Sequence, residues 1–328
     1  MSSNLPDKSN NNGINAIGEA NKILAARNQI FKPIIENRIT RNNPCAIVLL
    51  IDQSGSMGGK YINSNNEHKI ISEEVAEAVN KLFEHLILKS TKGNEIREYF
   101  TFLVIGYGNE EKENYATLAW EGTLKNKEWV NVKELSNNIQ EKNTRTEMKV
   151  PHYGGDPIKI TTTDKVWIKA KHHGKNTPMI SALKLCQQKL EEFIETRSDN
   201  FPPIVFNITD GLPTDLNDLN ELIEVCNQIK EIDTSFGKTI LFNCLLSGLN
   251  EERTLMPTIE DVEKMNSNKY HAALFEASSI LPDFILKEAF IMLKEDKFNH
   301  SIPIKALTLN IKPSELLPIF KIGTNTNL

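Results

Sequence analysis

Asp52, Ser54 and Ser56 stand at alternate positions just after an unbroken apolar run, Ile47-Val48-Leu49-Leu50-Ile51, with Gly55 and Gly58 between and behind them. They offer one carboxylate and two neutral hydroxyl oxygens on a loop that glycine lets turn tightly. Hard divalent cations take oxygen ligands of this kind, and a set poor in carboxylates suits Mg2+, which keeps several of its waters. Mn2+ accepts the same donors. The element that must position them is the apolar run itself. Preceded by Pro44, it reads as a strand buried on both faces. The crevice beyond the carboxyl end of such a strand is where open α/β sheets place their ligands.

D-x-S-x-S after a hydrophobic strand resembles the metal-ion-dependent adhesion site (MIDAS) of von Willebrand factor A (VWA) domains. That resemblance calls for a Thr on a second loop and an Asp after a later strand. Gly174-Lys175-Asn176-Thr177-Pro178-Met179 opens a helical pattern, and Ile204-Val205-Phe206-Asn207-Ile208-Thr209-Asp210-Gly211 closes a strand, so both pieces follow in order. The run Thr209-Asp210-Gly211-Leu212-Pro213-Thr214-Asp215 looks most like bacterial cytoplasmic members, the tellurium-resistance-type VWA proteins among them. The fold this implies is α/β and Rossmann-like, a mostly parallel sheet flanked by helices on both faces. It would span residues 44–295, between an N-terminal extension at 1–43 and a C-terminal one at 296–328.

By resemblance, Ser54 and Ser56 coordinate the ion directly, and Thr177 does so directly or through water. Asp52 and Asp210 hold bound waters, which leaves the cation electrophilic enough to take a carboxylate from a partner protein. The implied function is Mg2+-dependent protein binding without catalysis. Such proteins serve as adaptors or regulators beside kinase–phosphatase modules or AAA+ ATPases in stress-response and anti-phage systems. Lys175-Asn176 stand where the commoner third motif has glycines, and a lysine near the cation costs Coulomb energy unless it points into solvent.

Bulk properties narrow the field. A net charge of −5 and an isoelectric point near 5.9 leave no electrostatic footprint for nucleic acid. Neither a membrane-spanning run nor a signal-peptide core is evident, so a cytoplasmic location without membrane association is expected. Cys45, Cys186, Cys226 and Cys244 are scattered without a C-x-x-C pair and read as buried free thiols.

The positioning elements follow along the chain. The first dozen residues are polar and read as disordered; Ile14 to Phe31 approximate a helical stripe that Pro33 ends, a helix packed on its own domain or docking a partner. Ile70 to Leu86 repeat at helical spacing, the return path of a βαβ crossover. Tyr99–Tyr107 reads as a second core strand, paired with Tyr115–Trp120. An insertion at about 122–173 lacks clear periodicity and reads as a long irregular segment; the resemblance implies loops on the metal side there. Thr177–Arg197 is helical, with Pro178 in its first turn and Thr177 placed to cap it. Leu216–Ile232 is a further helix, for which Thr214 and Asp215 supply the start signal. Strand Thr239–Leu246, a helix near Ile259–Met265, an apolar piece at Ala272–Phe275 and a helix at Leu281–Lys294 come next. Ile302–Phe320 reads as an edge strand and a tail.

Other readings of the motifs are weaker. Gly55 to Tyr61 superficially imitates a phosphate loop, but the spacing is one residue short and Tyr61 replaces the Mg2+-binding hydroxyl. His172-His173 are adjacent and project to opposite sides of an extended chain, which disfavours a shared metal ion. A metal-dependent phosphohydrolase using Asp52 as nucleophile wants a second acid two positions on, where this chain has Ser54. A structural subunit with a vestigial metal site is the remaining alternative.

Overall fold

The computed structural model describes residues 39–63, 66–108, 116–149, 158–172, 175–249, 251–293 and 302–324. The expected helix between Ile14 and Phe31 lies outside them.

Strand β1 (Cys45–Asp52) is buried along its whole length. Helix α1 (Ile71–Ser90) returns the chain to β2 (Phe100–Tyr107), which pairs in parallel with β1 from Cys45↔Phe100 to Asp52↔Tyr107. Short strands β3 (Ala116–Leu118) and β4 (Val130–Asn131) pair antiparallel with β2. Helix α2 (Val132–Asn137) leads to a hairpin of β5 (Glu141–Lys149) and β6 (Ile158–Val166). Helix α3 (Met179–Thr196) then feeds β7 (Phe201–Thr209), which pairs in parallel with the other edge of β1. Helix α4 (Leu219–Glu231), strand β8 (Ile240–Leu246), strand β9 (Thr254–Leu255), helices α5 (Lys269–Ala277) and α6 (Asp283–Leu293), strand β10 (Leu307–Ile311) and helix α7 (Leu316–Thr324) complete the described chain.

The main sheet has eight strands in the order β9-β10-β8-β7-β1-β2-β3, with β4 also against β2. Its five central strands, β10, β8, β7, β1 and β2, are parallel. The mixed α/β architecture with a mostly parallel sheet is the one expected. Alternation along the strands divides the core. Ile47, Leu49, Ile51, Phe206 and Phe242 face α1, α6 and α7; Val48, Leu50, Val205 and Leu241 face α3, α4 and α5. Chain order reverses at β1, because β2 lies on one side and β7 on the other. That is the topological switch point at which an open α/β sheet leaves a crevice.

A polar relay crosses the second of these faces. Tyr107 donates its hydroxyl to the Asn207 Oδ1 at 3.0 Å, Asn207 donates to Asn243 at 3.0 Å, and Asn243 donates to Ser278 at 3.0 Å. Ser278 in turn donates to the Leu274 carbonyl. Every member is buried, so each polar group needs the partner it has.

Two segments differ from the sequence reading. The insertion is largely ordered: the β5–β6 hairpin pairs nine residues in continuous register and joins no other strand among the described residues. Its sequence, rich in Thr, Lys and Glu, lacks the apolar alternation by which a strand on a core is read. Asn80 of α1 holds the base, accepting the Trp167 and Ile168 amides at 2.9 and 3.2 Å and donating to the Ile168 carbonyl at 2.9 Å. Trp167 is fully buried and donates its indole N–H to the Leu135 carbonyl. The segment after residue 302 is also more than a tail. Strand β10 lies inside β9, and α7 packs into the core through Leu316, Ile319, Phe320 and Ile322. Pro318 sits in the first turn of that helix, where its missing N–H costs nothing. The four cysteines are buried and free, as expected.

Candidate metal centre

The five residues singled out by sequence lie on three loops at the carboxyl ends of β1 and β7 and at the start of α3. Asp52 is the last residue of β1 and has no exposed surface. Its Oδ1 accepts the Ser54 amide at 2.8 Å, and its Oδ2 accepts the Thr209 hydroxyl at 2.7 Å. After it the chain turns through a 3-10 segment at Gly55–Gly58. This brings the Ser54 and Ser56 hydroxyls to 3.0 Å from each other, and Ser56 donates to Asp210 Oδ1 at 2.7 Å. The first and third loops are therefore joined through the candidate ligands themselves.

The second loop is brought in by backbone packing. Gly108 follows β2 with φ of +100°, and a Cβ there would lie 2.7 Å from the Ser54 amide nitrogen and 3.0 Å from the Asn176 carbonyl. Only glycine lets both loops close over the end of β2. Thr177 is buried; its amide donates to the Thr214 hydroxyl at 2.9 Å, and its carbonyl accepts the Thr214 amide at 2.9 Å. Thus Thr177 is tied to the loop that carries Asp210. Lys175 is exposed, which keeps its charge in solvent.

Local structure at α3 corrects the capping scheme. Pro178 has φ −78° and ψ 64°, and the Met179 amide donates to the Thr177 carbonyl at 2.8 Å. This is an inverse γ-turn, so Pro178 precedes the helix and Thr177 does not cap it with its side chain. The cap comes from elsewhere. Asp215 accepts the Ile180 amide at 3.0 Å and the Ser181 amide and hydroxyl at 2.8 Å each. Asp218 caps α4 by accepting the Asn220 and Glu221 amides. Thr214 and Asp215 therefore serve the helix before them in sequence, not the one after.

Electrostatics at the crevice are anionic. Burial is the largest influence on the Asp52 carboxyl and pushes it up to about 6, against hydrogen bonds from Ser54 and Thr209 that pull it down. Burial raises Asp210 as well, opposed by the Ser56 hydroxyl. No cation figures among the groups shifting either carboxyl. Two carboxylates in a partly desolvated crevice favour a counter-charge, which a divalent ion supplies.

The donor set fits a small hard cation. All five side chains offer oxygen, and hydrogen bonds of 3.0 and 2.7 Å gather the Ser54, Ser56 and Asp210 oxygens at one point, donors of the kind Mg2+ takes. Among the described residues no three His, Cys, Asp or Glu side chains gather as a metal cluster. His172 stays outside this set: its Nδ1 is 3.0 Å from the Ser72 hydroxyl. His173 lies outside the described residues.

Sequence reading missed three contributors. Thr209 was read as the end of a strand and the start of the Thr209–Asp215 run, without a role at the site, yet it is the donor to Asp52. Tyr270 reaches from α5 to hold the Gly211 carbonyl at 2.9 Å. Gly108 carries no motif, and only its place one residue after a core strand could have drawn notice. Fold and crevice together define an α/β protein that gathers five oxygen-bearing side chains at the switch point of a mostly parallel sheet. Neither a protein-family model nor a curated protein matches the sequence.

Proposed function

We propose that this chain is a VWA-type protein whose MIDAS-like site binds Mg2+, with Mn2+ as a substitute, and uses it to hold an acidic residue of a partner protein. The observation that carries the reading is the convergence of the Ser54, Ser56 and Asp210 oxygens at the switch point, with Thr177 tied to the same loop as Asp210. When bound, the cation supplies a Lewis-acidic position that a carboxylate can fill. Ser54 and Ser56 present neutral oxygens to it, and Thr177 lies at its flank. Asp210 and Asp52 balance the charge, Asp52 from behind, with each oxygen already holding one donor. The protein is then an adaptor or regulator in a bacterial cytoplasm, in a stress-response or anti-phage setting with kinase, phosphatase or AAA+ ATPase partners. Among the described residues no helix is long and apolar enough to cross a membrane.

Asp52 argues against the phosphohydrolase alternative. A nucleophilic carboxylate must reach its substrate, and this one is enclosed with both oxygens engaged. Calorimetric titration with MgCl2 tests the reading. Wild type binds with measurable heat, and Asp52→Ala and Ser54→Ala lose at least tenfold in affinity, as removal of a ligand or its support does. A pull-down from the native host, with Mg2+ or chelator, then identifies a partner retained only by the metal-loaded wild type. Absence of Mg2+ binding by the wild type, or equal recovery in all lanes, refutes the proposal.

A further inference from the structure

We infer that Thr214 and Asp215 are positioning residues that set Thr177 against the metal site, a role that rests on the metal reading above. Helix α3 has Pro178 at its N-cap, with no side-chain acceptor to offer, so past Met179, whose amide bonds the Thr177 carbonyl, its first amides need a cap from elsewhere. Asp215 fills that role from 34 and 35 residues away in sequence, accepting Ser181 and Ile180. A carboxylate at a helix N-terminus is also favoured by the helix dipole. Asp215 is free for this task because Asp218 caps its own helix.

Beside it, Thr214 and Thr177 exchange two hydrogen bonds of 2.9 Å, amide to hydroxyl in one direction and amide to carbonyl in the other. Asp210 lies four residues before Thr214 on the same loop, whose Gly211 carbonyl is held from the other side by Tyr270. Five hydrogen bonds thus fasten the second candidate loop and the start of α3 to the third. Thr177 cannot shift relative to Asp210 without breaking them. The β1 loop meets this unit at the Ser56–Asp210 and Asp52–Thr209 hydrogen bonds and across Gly108.

Thr214 is exposed, so Thr214→Val removes the hydroxyl at constant shape without opening the core, and Thr214→Ser restores it. Calorimetric Mg2+ titration of the full chain is read alongside the melting temperature of the metal-free proteins. We expect Thr214→Val to weaken Mg2+ binding about tenfold, the lower range for partners that orient metal ligands. Thr214→Ser should return to wild-type affinity, and both should melt near the wild type. Asp215→Asn provides a second variant and should weaken binding in the same direction. If wild type and Thr214→Val bind Mg2+ equally, the positioning role is overturned while the metal reading stands. A weakening that Thr214→Ser does not repair overturns it too. If the wild type binds no Mg2+, the metal reading fails and this role fails with it.

Discussion

The loops at the carboxyl end of the sheet and the β5–β6 hairpin contain similar residue types, yet they are held in opposite ways. In the loops, Asp52, Thr177, Thr209 and Asp215 bond to residues remote in sequence. In the hairpin the strands bond chiefly to each other, and Thr144 and Thr163 face one another across it at 3.4 Å between exposed hydroxyls. Its base meets the body through Asn80 and through an ion pair of Lys165 with Glu84 at 3.3 Å. Buried polar groups fix geometry because leaving them unpaired is costly, whereas exposed ones exchange partners with water at little net cost. The loops are therefore built to hold positions and the hairpin to extend a surface.

Three substitutions probe that contrast. Asn80→Ala should have the largest effect, since it strands the Trp167 and Ile168 amides and the Ile168 carbonyl in the interior. We expect a loss of about 4 kcal/mol, read by urea denaturation. A loss below about 1 kcal/mol would show that the base of the hairpin is as loosely held as the rest of it.

Thr209→Val comes next, at about 2 kcal/mol, because it takes a donor from an enclosed carboxylate. Its effect should depend on pH. In the metal-free protein Asp52 is raised to about 6, whereas in the unfolded chain it titrates near the ordinary value of about 3.9. The folded state then holds a proton that the unfolded chain has lost, so its stabilising contribution is complete below the unfolded value and disappears as pH rises through about 6. Removing the Thr209 hydroxyl, which favours the charged form, raises the carboxyl further and extends that decline to higher pH. Melting curves between pH 4 and 8 without metal check the sign. A flat wild-type profile would contradict it.

Lys165→Ala should have the smallest effect, under about 0.5 kcal/mol, because both partners of its ion pair are about one-third exposed. A larger loss would mean that the hairpin is anchored along its length.

The same contrast explains what the sequence made legible. Apolar runs such as Ile47–Ile51 and Ile204–Ile208 declare buried parallel strands, and D-x-S-x-S, Thr177 and Asp210 sit at their ends or at a helix start. Strand and helix patterns and the candidate oxygens were readable for that reason. The hairpin was not, because its Thr-, Lys- and Glu-rich strands carry no apolar period. Helix α7 was obscured by its two prolines, one before the helix and one in its first turn. The Asp215 bond to Ile180 and Ser181 was hidden for a different reason. Capping motifs are read locally, and this carboxylate is donated across space to an earlier helix.

The buried relay from Tyr107 through Asn207 and Asn243 to Ser278 has a consequence for how the chain avoids error. Apolar strands stacked in parallel are poorly distinguished from one another, since a Val or Ile contact made one position out of step is nearly as favourable as the correct one. Side-chain amides are not interchangeable in this way. If β7 or β8 slipped by one residue, Asn207 or Asn243 would turn to the opposite face among Phe side chains, without its neighbour's oxygen. Proofreading of strand alignment is thus written into the middle of the sheet. Its failure would be visible as misassembled or aggregated protein before any change in the metal site.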